Sequence, residues 1–248
     1  MTSEVQPGPP PAEMMSFGPQ QGPSRRPSLL VFVLVAALVL AGLATWRFWP
    51  RPPPDLTTED LTGAYAGMVR ADGTNQVSTL TAADLTEPPA RIRPARCAPL
   101  FEATVSNQFP PTALEGVSTY WLKEGSASIS LTTYRYADSD AARRQFVQVS
   151  DTLAACVGTR LRVDRRSNVS VEQQTVTPPD QADDYVSFLA ASPPGNTRVT
   201  IDVARLTNTV SWQYRYDYQS RERYTPLAAQ QLMASLMSQL RDIQKSRR

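Results

Sequence analysis

Residues 27–46 form a run of 20 with no charge and no polar face, "PSLLVFVLVAALVLAGLATW". A helix of that length spans about 30 Å, the thickness of a hydrocarbon core. The pattern therefore predicts a single transmembrane helix over 29–49. Trp46, Arg47, Phe48, Trp49 and Arg51 close the run, the amphipathic rings and snorkelling cations of a membrane interface. "GLA" at 42–44 is a weak small-x-small cleavage signal. However, the apolar run exceeds the usual signal-peptide core of about 7–15 residues, and no cysteine follows it for lipidation. The segment reads as an uncleaved anchor.

Beyond the anchor the period switches between helix and strand. In "DLTTEDLTGAYAGMV", Thr57 caps a short helix, Asp60 completes a capping box, and Leu56 and Leu61 form a hydrophobic staple. Cys97, Leu100, Phe101 and Val105 share one helical face. "GVSTYWLKE" and "ASISLTTYRY" alternate as strands around Gly125. "DSDAARRQFVQVSDTLAACVG" is a helix capped by Asp138 or Ser139 and ended by Gly158, with Ala142, Phe146, Val149, Leu153 and Cys156 on one face. Five strand-like runs follow: "TRLRVD", "NVSVEQQTV", "DDYVSFLAA", "TRVTIDVARL" and "TVSWQYRYDY". A last helix begins at Thr225 and Pro226 and buries Leu232, Leu236, Leu240 and Ile243. This order predicts an α+β fold for 57–248, a mainly antiparallel sheet with helices packed on one face.

Composition sets the flanks. Residues 1–28 are rich in proline and glycine without an apolar period and read as a disordered tail. The proline-rich 50–56 is a stiff spacer. A net charge of +2 gives no excess that would call for nucleic acid. The chain has no histidine, so it lacks the commonest general base and metal ligand. No nucleophile elbow, phosphate loop or dinucleotide fingerprint is present. We expect no enzyme activity, no cofactor and no metal. The acid pairs Glu59/Asp60 and Asp183/Asp184 read as cap or turn residues.

Two features carry candidate binding chemistry. Val210, Trp212, Tyr214, Tyr216 and Tyr218 alternate on one strand and project to one face. The stripe reads either as core or, at Tyr214, Tyr216 and Tyr218, as the lining of a cleft for an apolar or sugar-bearing ligand. Arg91, Arg93 and Arg96, then Arg160, Arg162, Arg165 and Arg166, form basic clusters. They read as solvated surface or as a contact for anionic headgroups or a polyanion.

The only cysteines are Cys97 and Cys156. Packing their two apolar helical faces together brings the sulfurs close, as a disulfide or as two buried thiols. The arginines flanking the anchor, Arg25 and Arg26 against Arg47 and Arg51, balance. An oxidised pair places the C-terminal domain outside the cytoplasm and the tail inside.

The run "LTAADLTEPPARIRPARC" before the first cysteine and "YRYADSDAARRQFVQVSDTLAAC" up to the second resemble the PknH-like extracellular sensor domain of mycobacterial and related actinobacterial membrane proteins. The later "TRVTIDVAR" and "PLAAQQLMASLMSQL" also fit, so the likeness covers about 79–244. The resemblance implies a bridge between Cys97 and Cys156. It also implies a second bridge between later strands, for which this chain has no cysteines. Residues 1–28 hold no kinase, so a kinase-free member is implied. The expectation is a single-pass cell-membrane protein whose extracytoplasmic domain binds an envelope small molecule or lipid, or else a partner protein.

Overall fold

The computed structural model describes residues 34–39, 52–69, 77–84, 91–101, 109–123, 127–163, 167–192, 197–218 and 227–247. The chain divides into two compact units, Met1–Arg51 and Pro52–Arg248. In the first, residues 34–39 are helical and exposed. The tail and most of the expected anchor lie outside the described residues. Among those described, no helix is long and apolar enough to cross a membrane.

The second unit opens as its sequence dictates. The spacer ends at Thr57, where helix α1 (Thr58–Val69) begins. Thr57 N donates to Asp60 Oδ2 at 2.7 Å, and Asp60 N donates to Thr57 Oγ1 at 3.3 Å. This reciprocal box satisfies backbone donors that have no partner within the helix. Leu56 and Leu61 are both buried, which completes the staple. Helix α2 (Ser139–Cys156) is capped by Asp138, whose side chain accepts from Ala141 N at 2.7 Å. It stops at Gly158, whose φ of +74° is the left-handed conformation glycine adopts without steric cost. Helix α3 (Leu227–Ser246) closes the chain.

Among the described residues nine antiparallel strands make one sheet in the order β1-β3-β4-β9-β8-β7-β6-β5-β2. The seven long or mid-length strands match the sequence expectation: β3 (Glu115–Lys123), β4 (Ala127–Arg135), β5 (Arg160–Val163), β6 (Ser167–Gln173), β7 (Asp184–Ser192), β8 (Thr197–Leu206) and β9 (Thr209–Tyr218). The two edges, β1 (Val77–Leu80) and β2 (Ile92–Arg93), are additions. Neither is long enough to show a period of two. The segment carrying Cys97 is a short 3-10 turn, Ala95–Phe101, with Pro99 inside it.

The helices do not share one face, and that expectation is corrected here. Side chains alternate along a strand, and β8 and β9 are buried on both sides. Val203, Ile201, Val210, Trp212 and Tyr214 join a core with Phe146, Val149 and Leu153 of α2. Ala204 and Leu206 point the other way, into a core with Leu61 and Tyr65 of α1 and Met233, Leu236, Met237 and Leu240 of α3. A central strand that is apolar on both sides needs a layer on each. Each fully buried Val, Leu or Phe contributes roughly 1.5–3 kcal/mol, so neither layer is dispensable.

The disulfide is present. Cys97 and Cys156, both fully buried, are bridged with their Cα atoms 6.0 Å apart. The bond ties the 3-10 turn beside edge strand β2 to the C-terminal end of α2.

The spacer is docked onto the sheet. Asn208, in the tight turn between β8 and β9, accepts from Leu56 N at 2.8 Å and donates to Leu56 O at 3.0 Å. Gln244 of α3 donates to Pro54 O and to Thr207 Oγ1, both at 2.8 Å. Thr207 adopts φ +47°, a left-handed turn position held by these bonds.

Candidate functional site

The described residues form an open cleft of about 230 Å³ on the face shared by α1 and α3. One wall is the loop between β6 and β7, with Thr177, Pro178, Pro179 and Asp180. The other is α3, with Gln231, Met233 and Ala234, and Tyr185 of β7 lies between them. Two prolines in series stiffen the loop wall, because each fixes its own φ and restricts its predecessor.

Tyr185 links the cleft to a buried polar group. Its hydroxyl donates to Asp202 Oδ1 at 2.6 Å, and Gln213 Nε2 donates to Asp202 Oδ2 at 3.2 Å. Asp202 is 3% exposed. It sits on β8, one strand from each donor, because the register pairs Asp202 with Gln213 on β9 and with Ser187 on β7. Two residues along β9, Arg215 donates to Thr200 Oγ1 at 2.8 Å. Burial raises the Tyr185 pKa far above its ordinary value, and the charge and hydrogen bond of Asp202 add to the rise. Tyr185 therefore stays a neutral donor at any physiological pH. Its hydroxyl is committed to Asp202, and the residue lines the cleft with Met233 and the two prolines.

Among the described residues no three His, Cys, Asp or Glu side chains gather to hold a metal. Of the acid pairs expected on caps and turns, Asp60, Asp183 and Asp184 make structural contacts and Glu59 is exposed. Asp60 completes the α1 box and meets Arg247 at 2.5 Å. Asp183 and Asp184 bind Arg205, and Asp183 also binds Arg241 at 2.6 Å, pinning α3 to the start of β7.

The aromatic stripe divides. Trp212 and Tyr214 are fully buried and stack with their centroids 6.0 Å apart, inside the α2 core. Tyr216 is half-buried at the margin of that core, and the side chain of Tyr218 lies outside the described residues. The stripe faces α2, whereas the cleft is on the opposite side of the sheet. Sequence reasoning missed the cleft. One signal was available: Asp202 interrupts the apolar "TIDVA" in mid-strand, and a charge there needs partners.

The sequence matches no family model and no curated protein. Two solved structures align over most of the second unit. The extracellular domain of PknH from Mycobacterium tuberculosis aligns with a TM-score of 0.56 at 12% identity, covering 77% of this chain and 100% of that one. An uncharacterised protein of Mycobacterium smegmatis aligns with a TM-score of 0.45 at 14% identity, covering 76% of this chain and 98% of that one. The unit built on the Cys97–Cys156 bridge, two helical layers and a nine-stranded sheet has the fold of the PknH extracellular domain.

Proposed function

We propose that the chain is a membrane-anchored, extracytoplasmic sensor-like binding protein whose ligand is a small molecule or lipid of the cell envelope. The cleft beside Tyr185 carries this reading: it is concave, partly apolar, and backed by a satisfied buried carboxylate, as ligand sites are. The shared fold with a kinase's extracellular domain supports a sensing role, and the disulfide supports an oxidising compartment. The 20-residue uncharged run supports one anchor, and the disulfide, by favouring an oxidising compartment for the C-terminal unit, supports a tail inside. Tyr216 and Tyr218, on the α2 side of the sheet by strand alternation, form a separate proposed contact and are not part of this cleft. Among the described residues of this unit, the exposed large apolar side chains Leu114, Val147 and Val157 are scattered. A ligand cleft therefore has more support than a flat partner-binding patch.

The test is mass spectrometry of small molecules retained by residues 52–248 purified from an envelope-bearing host. Wild-type protein should retain a ligand that Ala234→Trp, which fills the cleft, does not. Identical retention by both would reject the cleft. Phosphatase fusions should be active outside the cytoplasm at the C-terminus and inactive at the N-terminus; the reverse would reject the topology.

A further inference from the structure

The geometry points to a binding strip for an extended phosphate-bearing polyanion on the part of the sheet that α1 and α3 leave open. Two arginine segments separated by some sixty residues in sequence are brought together by one strand pairing. β2 pairs with β5, and Arg93 lies directly opposite Arg162. On β5, Leu161 is in the α2 core, so its neighbours Arg160 and Arg162 project from the other face. Ile92 is likewise buried and Arg93 exposed. The register then runs from Arg160 across Ser170 and Ala191 to Arg198 on β8. All four arginines are exposed, and the floor between them is small and neutral.

This arrangement works against folding. Directly opposed like charges destabilise a strand pair. Among the described residues no carboxylate lies within ion-pair distance of Arg93, Arg160, Arg162 or Arg198. Glu172 is the one described, exposed acid on the same side of β6, and it forms no such pair. Asp217 stands opposite Arg198 in the register, at the far end of the strip from the β2–β5 pair. An anion that bridges the arginines relieves the repulsion. The guanidinium fork suits phosphate, which it can meet with two parallel hydrogen bonds.

The shape selects a chain over a bilayer. The strip shares its face with α1 and α3, which stand about 10 Å proud of a sheet. A recessed floor is reached by an extended polymer and shielded from a flat headgroup plane. From Arg160 to Arg198 there are three strand spacings, roughly 14 Å, so a ligand must carry several charges to engage both ends.

The test uses the full chain in uncharged detergent with inorganic polyphosphate as probe. Four contacts at about 0.7 in the logarithmic salt slope each should lower affinity roughly 50-fold between 50 and 200 mM salt. Arg93→Gln/Arg162→Gln should halve that slope, leaving about a sevenfold loss over the same range, and Arg160→Gln/Arg198→Gln should do the same. Arg93→Gln/Arg162→Gln should keep wild-type thermal stability, because the repulsion between directly opposed arginines is removed. Arg143→Gln/Arg144→Gln, exposed on α2 at the opposite face, removes equal charge and should change nothing. Polyphosphate binding that survives both strip variants, or falls equally in the α2 variant, would overturn the proposal. So would preferential binding to anionic phospholipid vesicles without competition from polyphosphate. These outcomes are independent of ligand retention by the cleft.

Discussion

Replacing Asn208 tests whether the spacer is a structural part of the domain. The side chain is 1% exposed and serves Leu56 N, Leu56 O and, at 3.4 Å, Tyr136 O. Leu56 is itself 1% exposed, so water does not replace the lost partners. Asn208→Ala leaves the buried donor Leu56 N and the buried acceptor Leu56 O unsatisfied and removes the long bond to Tyr136 O. At about 1–3 kcal/mol for each of these two groups the loss is roughly 2–6 kcal/mol, a large share of a domain's stability. Asn208→Asp is closer in shape yet should be worse at neutral pH. It keeps the bond from Leu56 N but turns an amide donor into a carboxylate oxygen facing two carbonyls, and it buries a charge without a partner. Burial raises the carboxyl pKa in the folded state above its unfolded value. The penalty is therefore full above the folded pKa and fades as pH falls toward the unfolded one. Urea unfolding followed by Trp212, which is fully buried, gives both numbers. An Asp variant more stable than the Ala variant at neutral pH, or one that gains nothing on acidification, would refute this account of the dock.

Cys97→Ser should cost roughly 2–5 kcal/mol, in line with the chain-entropy figure of about 4 kcal/mol for a loop of this length, because the bridge spans a separation of 59 residues. The double Cys→Ser variant should cost little more, since the two sulfurs act as one unit, and alkylation of two thiols in the unfolded, unreduced protein would count against it. Trp212→Ala should cost about 3–5 kcal/mol as a full core truncation, and Tyr216→Ala clearly less, read from urea midpoints; equal losses would mean that the stripe's margin is as closed as its centre. The Thr58 hydroxyl, then the Arg135 guanidinium, hold the Glu115 carboxyl below its ordinary value of 4.5. Its contribution is present above that value and is lost as pH falls through the lower, folded pKa. Glu115→Gln should therefore flatten the acid side of the stability profile, and an unchanged slope would show that the pair contributes nothing.

The elements that could be read from the sequence are those whose burial is one-sided or whose ends are chemically marked. Thr57 with Asp60, Asp138 and Gly158 fix helix ends through local hydrogen bonds and backbone preference, and these sit where the sequence puts them. Layering was not legible, because alternation places residues on two faces without saying what covers each. Thr209, Ser211 and Gln213 look like a solvent face, yet all are fully buried. Their hydroxyls and the Gln213 Nε2 are absorbed by the fold, as when Thr133 bridges Ser211 and Tyr65. The cleft escaped for a related reason: its walls are far apart in the chain, and only the β7–β8–β9 register sets Tyr185 and Gln213 on the two oxygens of Asp202. The tyrosine stripe was visible as a stripe, but not which side of the sheet it faced.

The grip of Gln244 on Pro54 brings the two ends of the folded unit within one hydrogen bond of each other, 2.8 Å. Arg247 on Asp60 makes the same closure one turn away. Such a unit is a closed loop in all but covalent connection, and a short peptide between Arg247 and Pro52 would make it one. The start and finish of the polypeptide could then be moved elsewhere, for instance into the hairpin between β3 and β4, with every sheet pairing kept. The ordering of elements along the chain is thus incidental to this architecture. It matters in the native protein because it decides which strand turn, Thr207–Asn208, stands next to Pro54 and Leu56 at the start of the folded unit.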